Sequence, residues 1–91
     1  MDGERQEEAE KRLREEGFAE VYTWTDGPNT YYGEHKHETK TAHIIIDGRM
    51  EITMDGETNI FHTGDRIDIP SNTVHTAKMG PKGCTYVIGE S

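Results

Sequence analysis

The spacing of apolar positions changes period near residue 18. Upstream, Ala9 and Leu13 stand four apart in a segment dominated by charged residues, which places both on one helical face. The pattern predicts a helix over residues 4–16, with Asp2 as N-cap and Gly17 as the stop beyond its C-terminus. Glu7–Lys11, Glu8–Arg12 and Glu10–Arg14 fall at i,i+4, where each pair contributes about 0.2–0.5 kcal/mol. So narrow an apolar stripe predicts a solvated helix that packs weakly on the body.

Downstream, short runs with period-two alternation are separated by turn residues. They predict about eight strands, at 20–25, 30–37, 41–46, 49–54, 58–62, 66–69, 73–78 and 84–88. Asp47-Gly48 and Asp55-Gly56 each lie between apolar-rich runs, the signature of a two-residue hairpin. Many short strands at this spacing predict an all-β sandwich or barrel, with closure protecting its edges. The expected organisation is a charged helix over 1–17 and one barrel domain over 18–91.

Composition adjusts this picture in two ways. Hydrophobic content of 31% with a net charge of −8 approaches that of disordered chains. A single leucine against eight isoleucines, most of them within β-branched runs, argues for pleated strands instead. At 91 residues the core is small, so oligomerisation, here a homodimer, or a bound ion is expected to add stability. The acidic balance argues against nucleic acid and against an anionic membrane surface. No apolar run reaches the length of a membrane span, no leader pattern opens the chain, and the lone Cys84 has no partner for an internal disulfide. The expected location is the cytoplasm.

The histidines carry the candidate chemistry. His35 and His37 stand at i and i+2, so both project from one face of a strand, and His75 follows two turn signals downstream. Three neutral imidazoles converging on one point would suit a transition metal. Around them, His35-x-His37 with Gly48, and Gly64 with Pro70 and His75, stand at the spacings of the two motifs G-x5-H-x-H-x3,4-E-x6-G and G-x5-P-x-G-x2-H-x3-N. Over about residues 29–79 the chain resembles the cupin superfamily, in its small single-domain form. That resemblance implies a double-stranded β-helix, or jelly-roll, barrel. It also implies a divalent metal held by His35, His37 and His75.

The chain departs from the family pattern at four positions. Thr41 occupies the place of the metal-binding glutamate, Asn29 that of the opening glycine, Asn72 that of the second-motif glycine and Met79 that of its asparagine. Without the glutamate, the resemblance implies a shell of three histidines, as in some iron-dependent thiol dioxygenases of the superfamily. Such a site would favour an anionic or chelating ligand. His43 shares a strand face with Thr41 and is either a packed interior histidine or a fourth or supporting ligand. A Thr41 hydroxyl is a weak ligand that can hold a water.

Tyr31 shares parity with His35 and His37, and Tyr86 with Cys84 and Ile88. Each is either core filling or a phenol that orients substrate. His62 and Cys84 read as structural, and Met50, Ile52 and Met54 as a core stripe or, if turned outward, a dimer seam. The functional expectation is a metal-binding cupin carrying iron, copper, zinc, nickel or manganese. It would either catalyse a dioxygenase-like or other small-molecule reaction, or bind a small ligand without turnover.

Overall fold

The computed structural model describes the backbone of residues 2–91 and side chains from residue 5 onward. Helix α1 spans Asp2–Glu15, and six strands follow: β1 Glu20–Asp26, β2 Tyr31–His35, β3 Thr41–Met54, β4 Glu57–His62, β5 Arg66–Ile69 and β6 His75–Glu90. The expected cap, the side chain of Asp2, lies outside the described side chains. All strand pairs are antiparallel. The ladder runs β1-β6-β3-β4, with β2 also paired to β6 and β5 to β3.

The long strands β3 and β6 form the spine. Each replaces two of the expected short strands, because bulges in the sequence look like breaks. Asp55-Gly56 does make the expected tight turn, since both residues are left-handed (φ 54° and 77°) between the paired Met54 and Glu57. At Asp47-Gly48 the chain does not turn. Only Gly48 is left-handed (φ 87°), and the strand continues through register shifts at Ile45/Asp47 and Gly48/Met50. A Cβ on Gly48 would collide with the carbonyl oxygen of Gly83 on β6, so glycine is required where the two backbones close on each other.

These bulges change which parity faces inward. Thr41, His43 and Ile45 point into the barrel from the first half of β3; Met50, Ile52 and Met54 do so from the second. The interior cluster also takes Ile67 and Ile69 from β5 and Ala77, Met79, Cys84, Tyr86 and Ile88 from β6. On the outer face, Ala42, Ile44, Ile46 and Val87 pack against Ala9 and Leu13 of α1.

The helix is therefore docked, contrary to the weak packing expected of its narrow stripe. Leu13 is 0% exposed, a burial that typically stabilises by about 1.5–3 kcal/mol. Gly89 lets the helix approach, since a Cβ there would come within 2.9 Å of the Phe18 ring and 3.2 Å of Leu13. At the end of α1, Arg66 donates from both terminal nitrogens to the two Glu16 oxygens at 2.7 Å, a forked contact from β5. It holds the Glu16 carboxyl down at about 2. Along the helix and the residue after it, the described ion pairs at i,i+4 are Lys11–Glu15 and Arg12–Glu16, not the three expected from spacing. Glu10 instead accepts from Gln6 and from Thr23 of β1.

Candidate functional site

His35 ends β2 and is paired with His75, the first residue of β6, across the ladder. His37 follows two residues later, and its carbonyl accepts from the Asn72 amide at 2.7 Å. Asn72 itself is left-handed (φ 57°), as its place in the second motif requires. That bond ties the loop before β6 to the chain after β2 and brings the three imidazoles together. Their ring centroids lie 4.2 Å (His35–His75), 5.2 Å (His35–His37) and 5.5 Å (His37–His75) apart. One nitrogen of each can be chosen so that all lie within 4.8 Å of one another.

Backbone carbonyls orient two of the rings. Nδ1 of His35 lies 2.6 Å from the Gly33 oxygen and Nδ1 of His75 lies 2.9 Å from the Thr73 oxygen. A carbonyl only accepts, so each Nδ1 carries the proton and each neutral ring keeps its Nε2 lone pair free. Burial lowers the His75 pKa, opposed by the Thr73 carbonyl and reinforced by the neighbouring His35 and His37. This favours the uncharged, lone-pair-bearing form.

The trio opens onto a cavity of about 540 Å³. Thr41 and His43 line it, and Thr41 Oγ1 and His43 Nδ1 are buried without a protein hydrogen-bond partner. His43 stacks obliquely on Tyr86 at 5.6 Å. Burial, then the proximity of His75, His37 and His35, pushes its pKa down to about 4. The ring is therefore neutral at physiological pH. His62 is exposed on β4 and takes no part in the cluster.

Tyr86 lines the cavity; Tyr31 does not. Tyr31 is 63% exposed, and its neighbour Tyr32 lines the wall instead. The cause is a register shift. From Tyr32 to His35 the chain advances three residues on β2 while β6 advances two, from Ala77 to His75. The extra residue puts Tyr32, not Tyr31, on the histidine face.

Asp26 falls just beyond the first strand predicted at 20–25, and no motif in the sequence singles it out. Asp26 is buried at the end of β1 and accepts three hydrogen bonds. Trp24 Nε1 donates at 2.9 Å, Tyr32 at 2.7 Å and Tyr86 at 2.6 Å. Burial and the Asp26 carboxylate hold both phenols above their ordinary pKa. Burial with Asp26 and Asp47 nearby pushes the Cys84 thiol up to about 12, so it is inert. At the rim, Tyr22 donates to Glu90 at 3.3 Å.

Comparison with known proteins agrees with this architecture. The family model for the cupin domain matches residues 22–86. A quercetin 2,3-dioxygenase of Bacillus subtilis is 31% identical over 61 residues, which cover 66% of this chain but only 18% of that protein. Among solved structures, KdgF from Halomonas sp. aligns with a TM-score of 0.67 at 19% identity, covering 77% of this chain and 66% of that one. The Cnp3 cupin domain of Schizosaccharomyces pombe aligns with a TM-score of 0.72 at 11% identity, covering 78% and 50%. At these identities the structural matches establish the fold alone.

Proposed function

Because the chain belongs to the cupin family, we propose that it holds a divalent transition metal on His35, His37 and His75 and presents that metal to a small molecule in the cavity. One observation carries this reading: the carbonyls held on Nδ1 of His35 and His75 make Nε2 the lone-pair nitrogen of each neutral ring, beside His37. Metal–nitrogen distances of about 2.0–2.1 Å place neighbouring ligand atoms roughly 3–3.4 Å apart, and one candidate nitrogen of each ring already lies within 4.8 Å of the other two. The donor set therefore fits an imidazole-preferring ion such as iron, copper, zinc or nickel better than manganese, which favours oxygen donors.

Bound there, the metal supplies a Lewis acid for a lone pair of the ligand and, if iron or copper, redox capacity. The protein's own residues do the rest. The Gly33 and Thr73 carbonyls fix the rings, and the neutral His43 and Thr41 line the cavity beside them. The apolar side chains Met50, Ile52, Ile69 and Met79 exclude water from the floor. The quercetin dioxygenase relative favours an oxygenase among possible reactions.

A second reading, binding without turnover, is favoured by the tyrosines. Tyr32 and Tyr86 both donate to Asp26, which leaves neither free to protonate a substrate. The test is metal analysis of protein from its native host, with oxygen uptake measured against thiols and diketones. Stoichiometric metal with turnover supports the first reading, and stoichiometric metal with binding alone supports the second. Protein that neither contains nor takes up any of the five metals overturns both.

A further inference from the structure

The aromatic stretch of the cavity wall, supplied by β1, β2 and β6, has a consistent electrical character. Tyr22, Trp24, Tyr32 and Tyr86 line it, and every N–H or O–H they carry is directed at a carboxylate. Tyr22 donates to Glu90, and the other three donate to Asp26. What these side chains have left to offer a ligand is phenol oxygen lone pairs and aromatic rings whose faces are electronegative. Glu90 also lines the cavity, whereas among the described residues lining it there is no lysine or arginine. The whole chain adds a formal charge of −8. An anionic head group at this wall would meet repulsion and no donor.

We propose that this aromatic wall binds the head group of a small organic cation, of the alkylated ammonium or sulfonium type, against Tyr22, Trp24, Tyr32 and Glu90. Cations of this kind are attracted to ring faces and are cheaper to desolvate than a compact ammonium. The ligand's other end reaches toward the histidine pole, where Thr41 Oγ1 and His43 Nδ1 are buried without partners in the same cavity. The inference deepens the small-molecule reading above and rests on it for that far end alone. The wall itself needs no metal.

The molecule carries its own reporter, because Trp24 is the sole tryptophan and stands in the wall. The probes are choline, its neutral isostere 3,3-dimethylbutan-1-ol, and the anion 3,3-dimethylbutanoate. Each is titrated into the whole protein while Trp24 emission is followed. Choline is expected to bind about tenfold or more tightly than the alcohol, with the anion weakest. Glu90→Gln should reduce that preference several-fold while the alcohol's affinity stays the same.

His75→Ala, which removes one histidine of the metal cluster, should leave the preference intact. Loss of metal binding and loss of cation binding are thus read separately. Equal binding of choline and the alcohol, tighter binding of the anion, or no response to choline overturns the proposal. So does an emission that shifts with protein concentration and not with choline, which would place a second copy of the chain over the wall.

Discussion

Replacing Asp26 by Asn should destabilise the barrel through a single buried hydroxyl. The carboxylate is 7% exposed and receives Trp24 and Tyr32 on Oδ1 and Tyr86 on Oδ2. An asparagine keeps one accepting oxygen; with that oxygen on Trp24 and Tyr32, its amide N–H groups meet Tyr86 as donors. Trp24 and Tyr32 are 52% and 37% exposed and can turn to water, but Tyr86 is 5% exposed and cannot. A hydrogen bond to a charged acceptor contributes about 1.5–3 kcal/mol, and a buried unsatisfied donor costs about 1–3 kcal/mol. The expected loss is therefore about 2–3 kcal/mol. For a domain of this size that corresponds to a fall in Tm of roughly 8–24 °C.

Urea unfolding at pH 7 of wild type, Asp26→Asn, Tyr86→Phe and the double variant closes a cycle that isolates the pair. Tyr86→Phe removes the stranded donor, so Asp26→Asn should cost much less in its background. The expected coupling is about 1.5 kcal/mol or more. Additive single effects, or an Asp26→Asn variant within about 0.5 kcal/mol of wild type, would refute the assignment of Asp26 as the anchor of Tyr86.

Leu13→Ala should cost about 2–5 kcal/mol, read from the urea midpoint, because the side chain is fully enclosed between α1 and the sheet. Gly48→Ala should lower Tm sharply: left-handed strain alone costs about 1–2 kcal/mol, and the methyl group collides with the Gly83 backbone. In metal-free protein, His43 titrates at about 4 when folded against 6.5 when free, so the unfolded state binds more protons between those values. Its contribution is complete above pH 6.5 and is lost as pH falls toward 4. The loss amounts to at most about 3 kcal/mol, and the difference between wild type and His43→Leu across that window measures it.

The residues most legible in the sequence were those fixed by short-range spacing. His35 and His37 share a face because side chains in extended chain alternate, and the Pro70–Asn72 turn returns His75 beside them. The fold class was legible for the same reason. What escaped depended on register and on contacts between distant segments. Tyr31 and Tyr32 exchange roles through one bulged residue, which parity counting has no means of detecting. Asp47-Gly48 carries hairpin chemistry, yet Gly48 serves a close approach to Gly83 that only the paired strands reveal.

Asp26 sits in an Asp-Gly-Pro sequence that favours a turn, and its three donors come from three different strands. The docking of α1 did leave a signal. Ile44-Ile45-Ile46 is apolar at consecutive positions, and a strand of that kind is buried on both faces. The outer face had to be covered, and Ala9 with Leu13 cover it.

X-ray absorption at the metal edge of the loaded protein tests the central claim most directly. A first shell containing three imidazole nitrogens at about 2.0–2.1 Å, reduced to two with weakened retention in His75→Ala, is the expected result. A shell without imidazole scattering, or one unchanged by removing His75, would contradict it.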